Sequence, residues 1–499
     1  MKQSRSSLLA ACSALVLAAC GSTVHVTGSG LPQGDGSLNA PQAKSGSSVP
    51  GSLNGTLGGS SSGGAPPSES AATPGSGPGS VTGPEIGPPA VRAGAPIKIG
   101  VLVTDTDTYQ KAAGVGVSQT TLERNGLHAL LNQINASGGV AGHKLVPVDA
   151  TFNFLATSFD SEFQAVCDTF TVDNHVGAVI YDDVTYNQLF NDCLQKARVP
   201  QFNMGQTGSS VGDITDLVNH PGLIVADTVS LDRRITSVLD GSLRFGYLHS
   251  GSRLGVIVET CPYALRAYAR TFLPIITRHG ITVFREDVPC GTGSGDEGTG
   301  IAAVQSDVLH FHGENVDSLM LLTLYEKGTK YYIAQAADAQ HWAPQYLLFH
   351  QEAEAGQMAA YPASQLVNMR GFGGLPLEEV THPPAPSPAQ AQVRRTCLSI
   401  MRVHGVDVSS VYNQWTDYMM CDAVWLLQRA LTLTGGQAGM ANLVPAAERI
   451  GSAFVSAMTF EGVTQLGPGH HDGIETTAVS IYSTSCACFV YSTRPQTIR

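Results

Sequence analysis

The sequence predicts an α/β protein with two doubly wound parallel-sheet lobes that are joined by hinge crossovers. Short β-branched apolar runs alternate with amphipathic helical stretches from about residue 96 onward, which is typical of parallel sheets covered on both faces. The same alternation starts again near Ser230. About 400 residues belong to this region, more than one hydrophobic core usually supports, so two lobes are expected.

Residues 1–20 have the features of an export signal. Lys2 and Arg5 precede the apolar run from Leu8 to Ala19, which is too short to span a bilayer. The run ends in Leu17-Ala18-Ala19-Cys20, which resembles the bacterial lipobox and implies lipidation of Cys20. We therefore expect a lipid-anchored protein on the extracytoplasmic face of the cell membrane. An ordinary secretory signal with a chance cysteine is the alternative.

Residues 21–95 are rich in Gly, Ser and Pro and contain almost no large apolar side chains. Such a segment cannot bury enough surface to offset the entropy lost on ordering. The composition predicts a disordered tether between the anchor and the folded part.

Residues 96–225 are expected to form lobe 1. Apolar runs indicate strands, and apolar residues at helical spacing indicate the helices between them. The predicted strands are 97–103, 144–149, 177–181 and 200–204, and the predicted helices are 117–135, 159–173 and 185–197.

Residues 226–351 are expected to form lobe 2. Its predicted strands are 254–259, 281–287, 318–324 and 345–350, and its predicted helices are 230–245, 264–279, 301–311 and 330–339. A segment of about 352–455, with an extended run at 370–374 and a helix at 422–433, is expected to return to lobe 1. The C-terminal segment of about 456–499, which contains the runs 476–482 and 486–491, is expected to complete lobe 2.

Charge and motifs argue against several function classes. Lys and Arg total 28 against 40 Asp and Glu, a net charge of −12, which does not favour nucleic-acid binding. His470-His471-Asp472 lacks the HExxH spacing, no G-x-S-x-G is present, and no lysine follows Gly291–Gly300 to complete a phosphate-binding loop. We therefore expect a protein that is not an enzyme and binds neither a cofactor nor a metal.

The cysteine count predicts disulfides. Of ten cysteines, Cys12 leaves with the signal and Cys20 would carry lipid, so an even set remains in an exported chain. That set is Cys167, Cys193, Cys261, Cys290, Cys397, Cys421, Cys486 and Cys488. Eight thiols allow 105 pairings, and the residues alone do not choose among them. Zinc is the competing interpretation, but only Cys486 and Cys488 lie close together in the sequence.

Several segments of the folded part share the pattern of one known family. They are Ile97-Lys98-Ile99-Gly100, Ile134-Asn135-Ala136-Ser137-Gly138-Gly139-Val140-Ala141-Gly142-His143-Lys144-Leu145, Leu254-Gly255-Val256-Ile257-Val258 followed by Tyr263, and Asp422-Ala423-Val424-Trp425-Leu426-Leu427 with Ala430-Leu431. Through them the chain resembles, over roughly 97–499, the type I periplasmic binding proteins of the leucine/isoleucine/valine-binding family, the solute receptors of branched-chain amino acid ABC importers.

The resemblance implies a type I periplasmic-binding-protein fold. It also implies that a small polar, amino-acid-like ligand is captured between the lobes and delivered to an ABC permease. The cysteine layout resembles that of actinobacterial lipoprotein members. On that basis the implied pairs are Cys167 with Cys193, Cys261 with Cys290, Cys397 with Cys421, and Cys486 with Cys488.

Ligands of open parallel sheets bind beyond the carboxyl ends of the strands, so the loops there supply the candidate site residues. The hydroxyls of Thr104 and Thr106 could hold a carboxylate, with Tyr109 as a stacking wall, although Asp and Thr in this loop equally suit a helix cap. The other candidates are Asp182, Asp183 and Thr207 in lobe 1 and Tyr263, Tyr325 and Glu326 in lobe 2. Thr207 would meet a ligand carboxylate and Glu326 an ammonium group, while Asp182 and Asp183 suit a cationic or polyhydroxylated ligand or a solvated turn.

Two alternatives to a transport receptor remain at this stage. One is a ligand sensor or orphan binding module without a transporter, and the other is a secreted enzyme on the same scaffold. Genes for a permease and an ATPase beside this one would favour import.

Overall fold

The computed structural model describes residues 94–105, 119–153, 155–182, 186–205, 211–291, 294–323, 326–349 and 361–498. The predicted signal peptide and the tether up to residue 93 lie outside these ranges. So do the candidate residues Cys20, Thr106, Tyr109, Asp183, Thr207 and Tyr325.

The first sheet has five parallel strands in the order β2-β1-β3-β4-β5. They are β1 (Ile97–Thr104), β2 (Leu145–Phe152), β3 (Ala178–Tyr181), β4 (Gln201–Asn203) and β5 (Leu223–Val225). In register, Ile97 lies opposite Leu145, and Ile99 lies opposite Ala178. Strand β1 buries every residue except Lys98, as a central strand covered on both faces must.

Four helices follow these strands along the chain: α1 (Gln119–Ala136), α2 (Phe159–Asp168), α3 (Gln188–Ala197) and α4 (Ile214–Asn219). Helix α1 ends in the predicted glycine turn. Gly139 has a φ of 77°, and a Cβ there would lie 2.1 Å from the His143 carbonyl oxygen, so only glycine fits. The Asn135 side chain closes the turn by hydrogen bonds of 2.7 Å to the backbone N–H and carbonyl of Leu145.

The second sheet runs in the order β12-β11-β10-β9-β8-β6-β7, with β13 paired to β11. Its strands are β6 (Arg253–Glu259), β7 (Thr282–Val288), β8 (Ser318–Leu322), β9 (Gln345–Leu348), β10 (Met369–Gly373), β11 (Thr476–Ser483), β12 (Cys488–Tyr491) and β13 (Gln496–Thr497). Strands β6 to β10 pair in parallel, whereas β11 is antiparallel to β10. The intervening helices are α5 (Leu231–Arg244), α6 (Pro262–Ala267), α7 (Leu273–His279), α8 (Ser294–Gly313) and α9 (Glu326–Ala339).

The prediction that 370–374 returns to lobe 1 is wrong. Strand β10 pairs with β9 of the second sheet, with Arg370 opposite Leu347. An apolar run shows that a segment is a strand, but the choice of sheet depends on backbone partners that are distant in sequence. The other lobe boundaries stay predictions.

The remaining helices are α10 (Ala363–Leu366), α11 (Pro376–Glu379), α12 (Pro388–Val403), α13 (Val411–Leu433) and α14 (Met440–Ile450). Helix α13 contacts α1 and β4 of the first lobe, and α12 and α14 pack beside it. The predicted helix at 422–433 is only its second half. Residues 415–424 of α13 are all buried, so one-sided periodicity is lost there.

Among the described residues, three segments cross between the lobes, at 226–230, 374–387 and 451–475. The first and third lie side by side, because the Ile474 N–H donates to the Thr228 carbonyl at 3.1 Å. The Ser230 N–H donates to Asp472 Oδ2 at 2.7 Å, and Arg233 forms an ion pair with the same Asp472 side chain. On the second crossing, a Cβ on Gly374 would lie 2.5 Å from the Ile474 side chain.

All four disulfide pairs that the resemblance implies are present in the structure. Cys167–Cys193 joins α2 to α3, and Cys397–Cys421 joins α12 to α13. Across the described ranges, no helix is long and apolar enough to cross a membrane. Within the same ranges, no three His, Cys, Asp or Glu side chains group in a way that could hold a metal ion.

Candidate functional site

Thr104 and Asp182, two of the predicted site residues, lie together where β1 and β3 end. The Thr104 hydroxyl donates to Asp182 Oδ1 at 3.0 Å, and the Thr104 N–H donates to Asp182 Oδ2 at 2.5 Å. The Thr104 carbonyl accepts a 2.8 Å hydrogen bond from the Thr120 hydroxyl. Both predicted residues are fully buried. The hydrogen bonds between Thr104 and Asp182 hold the ends of β1 and β3 together. Contact of either residue with a ligand stays a prediction.

Tyr263 is the predicted residue from the second lobe that the structure describes in full. Strand β6 ends at Glu259, and Pro262 begins α6, where its missing N–H leaves no helix hydrogen bond unmade. The Tyr263 hydroxyl donates to Glu259 Oε2 at 2.7 Å. The Cys261–Cys290 disulfide ties this turn to the segment after β7. Tyr263 is therefore held in a fixed orientation at the carboxyl end of β6.

The carboxyl ends of the two sheets face each other, because Tyr263 contacts an aromatic residue of the first lobe. Tyr186 follows β3, and its ring centre lies 5.4 Å from that of Tyr263, edge to face. Such pairs contribute about 0.5–1.5 kcal/mol beyond the area they bury. A residue that follows β3 in the first lobe thus touches a residue that follows β6 in the second.

Beside this aromatic pair lies an ion cluster that also spans the lobes, which we call the inter-lobe clasp. It consists of Asp213 and Asp216 of the first lobe with Asp232, Arg266 and Arg270 of the second. Arg266 donates from Nε and Nη2 to the two oxygens of Asp213, both at 2.9 Å, and from Nη2 to Asp216 Oδ1 at 2.7 Å.

Arg270 extends the clasp. Its Nη2 donates to Asp213 Oδ2 at 3.0 Å and to Asp232 Oδ2 at 2.6 Å. The side chain of Asp213 is fully buried, whereas those of Arg266 and Arg270 keep 34% and 39% of their surface exposed. The clasp therefore combines a buried acceptor with donors that solvent can reach.

Helix α4 positions the acidic side of the clasp. Asp213 caps this helix by accepting from the Asp216 N–H at 3.0 Å, and the Asp216 side chain accepts from the Asp213 N–H at 3.1 Å. This reciprocal arrangement is a capping box, which here also aims both carboxylates at Arg266.

The charges in the clasp shift its acidic groups in opposite directions. Burial opposes ionisation of Asp213, but its hydrogen bonds from Arg266 prevail and lower the pKa of this carboxyl. Burial, together with the neighbouring Asp213 charge, raises the pKa of Asp216 to about 6. The Arg266–Asp213 pair therefore stays ionised at neutral pH, and Asp216 gains a proton first as the pH falls.

Sequence reasoning missed Tyr186 and the whole clasp. A faint signal exists, because Asp213-Ile214-Thr215-Asp216 matches a helix-capping pattern and Arg266 and Arg270 stand four residues apart on one helical face. Nothing in either segment reveals the other as its partner. Of the remaining predicted residues, Glu326 begins α9, the helix after β8. Thr106, Tyr109, Asp183, Thr207 and Tyr325 lie outside the described residues.

The sequence matches no protein-family model and no curated protein. Solved structures nevertheless share its fold. A branched-chain amino acid ABC transporter protein from Thermus thermophilus with bound valine superimposes with a TM-score of 0.57 at 14% identity, over 81% of this chain and 97% of that one. A solute-binding protein of an ABC transporter from Rhodopseudomonas palustris BisB5, in complex with 3,4-dihydroxybenzoic acid, gives 0.56 at 11% identity over 81% and 97%.

A third neighbour is the fatty acid ABC transporter substrate-binding protein from Thermomonospora curvata. Its TM-score is 0.55 at 14% identity, over 81% of this chain and 92% of that one. At such identities the likeness establishes the fold. The two-lobed α/β architecture that the sequence predicts is confirmed.

Proposed function

Because this chain has the type I periplasmic-binding-protein fold, we propose that it is a solute receptor whose lobes close on a small ligand. It acts outside the cytoplasm, is anchored through lipid on Cys20, and delivers the ligand to an ABC permease. No covalent chemistry is required for this function, since the protein needs only to bind, close and release.

The observation that carries the proposal is the contact between the lobes at the ends of their sheets. Tyr186 meets Tyr263 there, and Arg266 binds Asp213 and Asp216 beside them. A ligand drives closure only if it interacts better with the closed form than with the open form. Residues that touch across the cleft make the closed form a defined state, and a solute bound between them adds to its stability.

A small carboxylic acid is the ligand class that we propose, including amino acids. The three neighbours are named for valine, 3,4-dihydroxybenzoic acid and fatty acids, which share a carboxyl group. In the sequence Thr207 comes after β4, and we propose that its hydroxyl binds the carboxylate. Tyr325 and Glu326 come after β8 in the sequence, and we propose that they contact the ligand from the second lobe. Glu326 would select for a ligand with an ammonium group.

A thermal-shift screen of the full chain tests this function. The panel contains branched-chain and other amino acids, hydroxybenzoic acids and short fatty acids, with the matching amides, polyamines and neutral sugars as controls. A ligand at a hundred times its dissociation constant adds about 2.7 kcal/mol to the stability of the folded form. Stabilisation by an acid but not by its amide supports the proposal. A panel without any stabilising compound contradicts it.

Closure is measured separately by small-angle scattering on the same samples. The radius of gyration should decrease when the stabilising acid is added, because the lobes spend more time together. Binding without any such decrease would indicate a module that holds its ligand without signalling it to a permease.

A further inference from the structure

A groove on the second lobe, away from the cleft, has no part in the proposed function. Residues of α5 line it together with residues of β10, β11 and β13. Its volume is about 400 Å³, within the range of small-molecule sites. Asp240, which lines it, stands eight positions after Asp232 of the inter-lobe clasp, about 12 Å further along the helix axis. The groove is therefore separate from the contacts between the lobes.

This groove lies where the three crossings enter the second lobe. Helix α5 begins after the first crossing, β10 ends before the second, and β11 begins after the third. Ser237 of α5 joins all three elements. Its hydroxyl donates to the Phe372 carbonyl at 3.4 Å and shares a 2.9 Å hydrogen bond with the Thr477 hydroxyl. These three residues also line the groove, so a molecule bound there contacts every element that a crossing enters.

The floor of the groove is apolar. Phe372, Ala478 and Val479 are buried and line it, and the side of Phe245 that is exposed adds a second aromatic surface. Gly241 of α5 contributes no side chain, and a Cβ there would lie 2.5 Å from the Phe372 ring. The glycine thus leaves the ring uncovered. Such a surface favours a ligand with a branched or aromatic hydrocarbon group.

Two side chains of opposite charge, Asp240 and Arg244, stand beside this apolar floor. They are exposed and lie one helical turn apart on α5. Within the described ranges neither takes part in an ion pair. The Arg244 guanidinium donates to the neutral Gln496 side chain and lies 5.8 Å from the centre of the Phe245 ring. Both charges are therefore open to a ligand that carries an ammonium and a carboxylate group.

We propose that this groove is a second ligand site, which binds a zwitterionic amino acid with a branched or aromatic side chain. The ammonium group binds Asp240, the carboxylate binds Arg244, and the side chain packs on Phe372. Residues four apart on a helix have their Cβ atoms about 5–6 Å apart, so a ligand with both charged groups on one carbon reaches both partners. The bound amino acid holds together the three elements next to the crossings and slows their local opening.

Calorimetry on the full chain tests the site with L-leucine and L-phenylalanine as probes. The variants are Asp240→Asn and Arg244→Gln, and the matched controls are Asp173→Asn and Arg395→Gln, which change exposed residues of the first lobe. Arg395 likewise donates to a glutamine, at 2.7 Å. The ligand control is 4-methylpentanoate, which is leucine without its ammonium group.

We expect each variant to weaken binding of at least one probe about fivefold, the scale of an exposed charge pair. Both control variants should bind as wild type does. Asp240→Asn should weaken leucine but not 4-methylpentanoate, which has no group for Asp240 to bind. Wild-type affinity for both probes in both variants would overturn the proposal, and so would the absence of any binding of either probe to wild type.

Hydrogen exchange locates the bound probe. The probe should slow exchange in peptides covering 236–246 and 492–498 of wild type, and the variant with both substitutions should lose this slowing at the same probe concentration. Slowing confined to the segments after β3 and β6 would place the probe in the cleft. That result would overturn the second site and leave the receptor function standing. Slowing at the groove alone supports the second site even if the solute screen finds no ligand for the cleft.

Discussion

Arg266 of the second lobe binds Asp213 of the first lobe through two hydrogen bonds of 2.9 Å, one from Nε and one from Nη2. Paired geometry of this kind is open to a guanidinium but not to the single ammonium group of a lysine. Because the two residues are in different lobes, this contact exists only when the lobes approach each other, and it fixes where they meet.

Arg266→Ala should shift the lobes toward an open form. The change leaves Asp213 buried without its main hydrogen-bond partner, which costs the closed form about 1–3 kcal/mol. We expect a value toward the low end of this range, because the guanidinium of Arg266 is partly exposed to solvent. Small-angle scattering should show a larger radius of gyration than in wild type. Arg278→Ala, an exposed arginine of α7, is the control and should leave it unchanged. Identical scattering curves for Arg266→Ala and wild type would contradict a role for the clasp in closure.

Asp417→Asn should stabilise the protein above neutral pH. Asp417 is fully buried in α13, both of its carboxyl oxygens lack partners among the described residues, and burial, followed by the Asp407 charge, raises its pKa to about 8. The folded state thus binds a proton that the unfolded chain, with a pKa of about 3.9, releases. The contribution of this carboxyl to the free energy of unfolding is fully present below about pH 4. It decreases as the pH rises to about 8, by up to about 1.4 kcal/mol per pH unit.

Urea unfolding of wild type and Asp417→Asn at pH 5 and pH 8 measures this difference. The loss of stability between the two pH values should be smaller in the variant, and Asp173→Asn, an exposed acid, should behave like wild type. Equal losses in Asp417→Asn and wild type would show that Asp417 is ionised in the folded protein.

The disulfides should differ in their contribution to stability. Cys397–Cys421 closes a loop with a sequence separation of 24, for which loop-closure entropy predicts about 3–4 kcal/mol. Cys486–Cys488 has a separation of 2 and restricts the unfolded chain far less. The paired serine variants should therefore rank in that order in urea unfolding. A larger loss for the Cys486/Cys488 variant would mean that its bridge acts through local contacts.

Cys20→Ser should release the protein from membranes. Cys20 follows the small residues at the end of the signal, so its acylation would provide the anchor, and stable attachment needs more than one acyl chain. Immunoblots of membrane and soluble fractions measure the distribution. Cys12→Ser, inside the signal itself, is the matched control and should remain with the membrane. Retention of Cys20→Ser in the membrane fraction would argue against lipidation at this residue.

Glu326→Gln should weaken binding of any ligand that carries an ammonium group. A charge-assisted hydrogen bond contributes about 1.5–3 kcal/mol, and Thr207→Ala, which removes a neutral donor, should cost less. Calorimetry with the best acid from the screen measures both, with Glu162→Gln on α2 as control. Unchanged affinity in both variants would place the binding site on other loops.

Much of the fold could be predicted because its signals are local. The run of Ile97 to Val103 is apolar and β-branched, and it forms β1 almost to the residue. The turn at Gly138 and Gly139 requires positive φ, which glycine adopts freely, and the structure has it there. The even cysteine count also predicted disulfides, although the family resemblance was needed to choose the pairs.

The tertiary structure alone decided what joins the two lobes. Strand β10 joins the second sheet because β9 offers it backbone partners, and its own sequence carries no trace of that choice. Arg266 and Asp213 are separated by 53 positions, and Tyr186 and Tyr263 by 77. Periodicity and motif spacing report on interactions within a few turns of the chain, whereas a cleft is made by contacts between distant segments. The sequence by itself thus determined the strands, helices and loops, and only their packing decided which side chains face one another across the cleft.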